Sequence, residues 1–171
     1  KDGSADLHAV RGAALSIGLF MNDYKIITVK STVPIDTNHK VVKWIKESQN
    51  YAHPFDVVSN PEFLREGSAL YDSLNPDRII IGSDNEQAAS VIQSLYGNIQ
   101  APTFVTTPRT AELIKYASNA FLATKISYVN ELSRLCESLG VNITNVTKGM
   151  GMDQRIGPHF LKAGIGYGGS C

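Results

Sequence analysis

The residues with the most chemical potential gather in a few short stretches. In "GIGYGGSC", residues 164–171, four of eight positions are glycine and the last is Cys171. Such glycines let backbone N–H groups converge on an anion and let a ligand approach without Cβ clashes, a setting that suits a nucleophilic thiol. A plain surface thiol fits it equally well. Cys136, in "RLCESLG", instead has the surroundings of a buried structural cysteine. Lys115 and Asn119 in "ELIKYASNAFL" are four residues apart and share one face of a helix, with Ile126 continuing the stripe. A cation and an amide donor aimed at one point suit an oxyanion that forms during a reaction. Taken singly, the lysine also fits a snorkelling role at a helix end, whereas an asparagine in mid-helix has poor propensity and needs partners if buried.

Two loop stretches add to this set. "KSTVP" ends a strand at Lys30 and presents Ser31 and Thr32 at its carboxyl edge, where open α/β sheets take ligands. "SNPEFLREG" leaves another strand at Asn60 and Pro61 and presents Glu62 and Glu66 in a helical turn, four apart and on one face. Two readings stand open: Pro61 and Glu62 open a helix, or a carboxylate serves as general base.

The elements that must position these groups follow from periodicity. "LHAVRGAALSIGLF" has helical spacing and precedes the β-branched run "IITVKST". "NHKVVKWIKES" is helical, "FDVVSNP" and "DRIIIGS" are strands, "NEQAASVIQSLYG" is a helix and "TFVTTP" a last strand. Strands alternating with helices predict a parallel sheet with right-handed crossovers, the doubly wound α/β class. After "TTPRTAE" the period changes. Thr107 or Thr110 caps a helix whose first turn holds Pro108 or Glu112, and from Glu112 it runs without proline to Gly140, about 28 residues and about 40 Å. Leu113, Ala117, Ala120, Phe121, Tyr128, Leu132 and Leu135 leave little of it polar, so it packs on several sides, as a helix joining domains or forming a dimer core does. "NITNVTKGM" is one more short helix and the remainder is loop.

Composition narrows the partners. Sixteen basic residues balance sixteen acidic ones in 171, which gives no global field for nucleic acid, and no apolar run is long enough to cross a bilayer. Two cysteines are too few for a disulfide framework, and the four scattered histidines do not make a metal site. The opening "KDGSADLHAV" lacks the sections of a signal peptide, so a reducing, cytoplasmic setting is expected.

Taken in order, "KSTVP", "SNPEFLREGSAL", "NPDRIIIG", "ELIKYASNAFLATKISYVNEL", "GMDQRIG" and "GIGYGGSC" resemble the nucleotide-sugar 6-dehydrogenases over essentially the whole chain. "LNPDRIIIG" and "GMDQRIG" fit the branch acting on UDP-glucose best; the branches acting on GDP-mannose or a UDP-N-acetylhexosamine are the alternatives. The resemblance implies the second half of a Rossmann-like NAD-binding domain over residues 1–107 and an all-α central dimerisation domain over 108–171, cut from a longer enzyme that forms a homodimer or higher homo-oligomer. It implies oxidation of a sugar C6 alcohol to a carboxylate with NAD used twice, Cys171 being the nucleophile. Lys115 and Asn119 would stabilise the C6 oxygen, and Glu62 would act as base on a water near Thr32. Ser31, Thr32, Val33 and Glu66 would touch the cofactor, and Phe63, Leu64, Phe160, Lys162, Tyr167 and Gly168 the substrate. Arg155 resembles an arginine that reaches a neighbouring subunit's substrate. The family's glycine-rich dinucleotide fingerprint, an aspartate soon after the cysteine and a C-terminal domain are not in this sequence, so the chain alone is expected to be inactive. From other classes, a dimerisation module with an inert Cys171, or a hydroxyacid dehydrogenase that needs no cysteine, are the competing readings.

Overall fold

A computed structural model describes residues 3–168. The chain divides into two compact units, Lys1–Tyr116 and Ala117–Cys171. The first holds α1 (His8–Phe20), β1 (Lys25–Val29), α2 (Thr37–Ser48), β2 (Phe55–Ser59), α3 (Ala69–Leu74), β3 (Ile79–Gly82), α4 (Glu86–Ser94) and β4 (Thr103–Thr106). The helix α5 (Pro108–Ser138) runs through the division, and α6 (Ile143–Gly151) belongs to the second unit.

The strands lie in the order β1-β2-β3-β4. Alternation along each strand sends neighbouring residues to opposite faces. Val58, Ile79 and Ile81 pack with Ala88, Ala89 and Ile92 of α4. Val57 and Ile27 pack on the other side with Ala14, Val41 and Ile45 of α1 and α2. Helices thus cover both faces, the doubly wound, Rossmann-like α/β arrangement. Fully buried side chains such as Val58, Ile81 and Ile45 contribute about 1.5–3 kcal/mol each relative to exposure.

The sheet departs from the all-parallel expectation at one junction. β1 pairs with β2 and β3 with β4 in parallel, but β2 meets β3 antiparallel through Ser59 and Gly82. The connection between them contains only the six-residue α3, and the two strands meet at the Ser59–Gly82 bridge alone rather than along a full ladder. The expected helical turn over Glu62 and Glu66 is also absent, since residues 61–65 have no regular structure and α3 begins at Ala69. Carboxylates take the local donors instead: the Leu64 N–H donates to Glu62 at 2.6 Å and the Arg65 N–H to Asp72 at 2.8 Å. Gly67, at φ +86°, then turns the chain.

The first turn of α5 is tightly seated. Thr107 Oγ1 accepts the Thr110 N–H at 3.3 Å, and the helix opens at Pro108. Gly82 makes room for this turn, because a Cβ there would lie 2.6 Å from Ala111 Cβ and 2.8 Å from Pro108 Cα. Glu112, 2% exposed, reaches back to α2, accepting the Asp36 N–H at 2.7 Å, the Asn38 N–H at 2.8 Å and the Asn38 amide at 2.7 Å. Asp36, in the N-cap position, makes no side-chain cap of its own, so Glu112 supplies the anion that this helix start favours.

Candidate active site

Within the first unit, the seating of α5 fixes Lys115 one turn past Glu112. Its side chain is buried, 6% exposed overall, and its Nζ lies 3.6 Å from Glu62 Oε1 and 5.0 Å from the centroid of the Phe63 ring. Burying an ammonium is costly unless a charge faces it, and the half-buried Glu62 carboxylate does so. Lys115 is thus a paired cation rather than a snorkelling one.

The loop carrying Glu62 and Phe63 is held from three sides. Asn60, 2% exposed, donates its amide to Ile80 O at 2.7 Å and accepts the Lys30 ammonium at 3.0 Å and the Tyr96 hydroxyl on Oδ1. Arg65 forks onto the buried Asp72, whose carboxylate also accepts the Ser68 hydroxyl at 2.9 Å. The guanidinium hydrogen bonds hold the Asp72 carboxyl well below the usual carboxylate range, and Asp72 raises Arg65 in turn. Arg78, immediately before β3, places its guanidinium carbon 3.9 Å from the Phe63 ring centroid. These groups enclose a cavity of about 300 Å³ whose walls include Lys30, Asn60, Glu62, Phe63, Leu64 and Arg78.

Past the carboxyl end of β1, Ser31 and Thr32 are exposed and Val33 is buried. These hydroxyls stand at the carboxyl edge of the sheet, the side on which open α/β sheets take ligands. Glu66 and Leu64 are exposed on the loop. Among the described residues, no cluster of His, Cys, Asp or Glu is placed to hold a metal ion, and no helix is long and apolar enough to cross a membrane.

In the second unit, Asn119 is half-buried on α5. The segment after α6 is pinned to α5 by Lys125 Nζ donating to Ile156 O at 3.0 Å and the Gly164 N–H donating to Asn130 Oδ1 at 2.8 Å, with Leu161 buried. Phe160 sits at φ +63°, a conformation that costs a bulky residue energy and that loops at functional sites often retain. Lys162, Tyr167 and Gly168 are exposed. Arg155 is exposed and pairs with Asp153 through contacts of 3.1, 3.2 and 2.6 Å. That pairing lowers the Asp153 carboxyl and raises the guanidinium. Cys136 is buried, 5% exposed, as its sequence surroundings indicate. Cys171 lies outside the described residues.

The sheet with helices on both faces makes the first unit a Rossmann-like α/β domain. Residues 1–100 match the NAD binding domain of the UDP-glucose/GDP-mannose dehydrogenase family and residues 109–171 its central domain, so the chain belongs to that family and carries its NAD-binding domain. It is 50% identical over 171 residues to the UDP-glucose 6-dehydrogenase TuaD of Bacillus subtilis (strain 168), covering 100% of this chain and 37% of that protein. It is 50% identical over 176 residues to a UDP-glucose 6-dehydrogenase of Rhizobium meliloti (strain 1021), covering 99% and 40%. The structure of a UDP-glucose dehydrogenase from Pyrobaculum islandicum superposes with a TM-score of 0.96 at 48% identity, over 99% of this chain and 40% of that one. That of a GDP-mannose dehydrogenase from Pseudomonas aeruginosa superposes with a TM-score of 0.86 at 29% identity, over 100% and 41%. The chain therefore spans about two fifths of the length of these relatives.

Proposed function

We propose that this chain is part of an NAD-dependent dehydrogenase that oxidises the C6 alcohol of UDP-glucose to the carboxylate of UDP-glucuronate. The observation that carries the reading is the buried Lys115 held 3.6 Å from Glu62, a carboxylate that itself lines the cavity of about 300 Å³, in a chain of this family. Names of the relatives at 50% identity favour UDP-glucose over GDP-mannose or a UDP-N-acetylhexosamine. We place the domain boundary between residues 107 and 108, where α5 opens.

Ser31, Thr32, Val33 and Glu66 would hold part of NAD, which when bound would supply the hydride acceptor for two successive oxidations. Lys115 exchanges the C6 hydroxyl proton and, with Asn119, stabilises the oxygen as it gains charge. The Cys171 thiolate adds to the resulting aldehyde carbon, forming a C–S bond and a thiohemiacetal whose C6 hydrogen leaves as the second hydride. The thioester that remains is cleaved by water: Glu62 takes a proton from a water near Thr32, the C–O bond forms, and the C–S bond breaks to restore the thiolate. Phe63, Leu64, Phe160, Lys162, Tyr167 and Gly168 hold the nucleotide sugar, and Arg155 completes the site of a second copy. Phe121, Tyr128 and Leu135, exposed at seven-residue intervals along α5, favour a homodimer or higher homo-oligomer formed through that helix. A cytoplasmic setting, where NAD and free thiols coexist, belongs to the same reading.

The test is NADH formation by the full-length protein. With UDP-glucose we expect two NADH per sugar and initial rates well above those with GDP-mannose or UDP-N-acetylglucosamine. Lys115→Met is expected to lower kcat about 10²–10⁴-fold, Cys171→Ser to abolish complete turnover, and the isolated 171-residue chain to form no NADH. Equal rates on all three sugars would remove the substrate assignment, and a Cys171→Ser enzyme with intact turnover would remove the mechanism.

A further inference from the structure

We propose that Arg78 is a positioning residue for the Lys115–Glu62 pair, acting through the ring of Phe63; this rests on the function proposed above. Three contacts carry it. The Arg78 guanidinium lies 3.9 Å from the Phe63 centroid, Lys115 Nζ lies 5.0 Å from the same centroid, and Lys115 is paired with Glu62, the residue before Phe63, at 3.6 Å. One aromatic ring thus serves two cations, each within the ~6 Å over which a ring quadrupole attracts positive charge.

The two ends of this stack differ in rigidity. Arg78 immediately precedes Ile79, which opens β3, is 4% exposed and donates its N–H to Pro102 O at 3.0 Å. The strand therefore fixes the Arg78 backbone. Phe63 sits in a stretch without regular structure, where no backbone ladder sets its side-chain direction. A planar guanidinium stacked on the ring supplies that direction, and the ring in turn closes over the Lys115 ammonium beside Glu62. Take away the stack and Phe63 is free to change rotamer, which uncovers the lysine and loosens its geometry toward a bound substrate without removing any group that reacts. The motif "NPDRIIIG" thereby acquires a role in the site.

The experiment is a double-mutant cycle on the full-length protein with two readouts. The first is the acetylation rate of the Lys115 amine by N-hydroxysuccinimidyl acetate, followed by peptide mass spectrometry. The second is kcat and KM with UDP-glucose and NAD. Arg78→Met is expected to raise Lys115 acetylation about threefold or more and to lower kcat by a similar factor, with KM for the sugar nucleotide raised as well because Phe63 also holds that substrate. In a Phe63→Leu background the same substitution is expected to change neither readout by more than about 1.5-fold. Should Arg78→Met not fold, Arg78→Lys carries the test, because it keeps the charge but loses the planar stack, and about a twofold rise in acetylation is expected. Acetylation unchanged by the Arg78 substitution, or an undiminished effect in the Phe63→Leu background, overturns the proposal. A wild-type protein that forms no NADH from any nucleotide sugar defeats the functional reading alone, since the acetylation cycle still reports the stack.

Discussion

Removing the Glu112 carboxylate should unlock α5 from α2, and the structure sets the size of the effect. Three donors meet this side chain: the Asp36 N–H at 2.7 Å, the Asn38 N–H at 2.8 Å and the Asn38 amide at 2.7 Å. Both donors of Asn38 are buried, the residue being 2% exposed, whereas Asp36 is only half-buried and water can replace its partner. Glu112→Ala orphans two buried donors at about 1–3 kcal/mol each and removes an anion from a helix N-terminus at about 0.3–1 kcal/mol. The expected loss is about 4 kcal/mol. Glu112→Gln keeps an oxygen against both Asn38 donors and loses only the contact to Asp36, so about 1–2 kcal/mol is expected. Trp44 is the one tryptophan of the sequence and lies on α2, so its fluorescence through a urea titration of the 171-residue chain reads the helix that Glu112 caps. A Glu112→Ala cost below about 1 kcal/mol, or a Gln variant as damaged as the Ala variant, would refute the reasoning.

Two further perturbations test the packing around the site. Gly82→Ala would put a Cβ 2.6 Å from Ala111 Cβ and 2.8 Å from Pro108 Cα; β3 and the first turn of α5 must separate, at an expected cost of about 1–3 kcal/mol, read from the same urea midpoints. Asp72 gives a pH signature. Its carboxyl is depressed in the folded state, chiefly by the hydrogen bonds from Arg65, so its contribution is fully present above the unfolded carboxylate value of about 4 and is lost as pH falls below it. Urea midpoints of the wild-type chain should therefore drop more steeply below about pH 4 than those of Asp72→Asn, and parallel curves would contradict that assignment.

Much of the fold was legible because its signals are local. The runs "IITV" and "IIIG" became β1 and β3 through β-branched content, and the proline-free stretch after Pro108 became a helix of 31 residues. Strand direction was not local: the antiparallel step is made by one bridge, Ser59 to Gly82, far apart in the chain, and the six-residue α3 between them leaves too little periodicity to be seen in advance. The site divides in the same way. Residue type and loop position pointed to Lys115 and Glu62, but their 3.6 Å approach is tertiary. Glu112 was read only as part of the first turn of α5, although its partners sit on α2. Asp72 and Arg78 gave no signal of their own, since each matters through a partner, Arg65 or Phe63, that only the folded loop brings near. Asn60, buried at the head of that loop, belongs with them; the proline after it was the only hint.

The decisive measurement is the trapping of the covalent state on Cys171. The full-length Glu62→Gln protein, mixed with UDP-glucose and NAD, quenched in acid and digested, should yield a Cys171 peptide heavier by a UDP-glucuronyl group in thioester linkage, because Lys115 and the thiol still act while hydrolysis has lost its base. The wild-type protein treated alike should show far less of it. An unmodified Cys171 peptide in the variant, together with undiminished NADH formation, would contradict the assignment of Glu62 and of the thiol together.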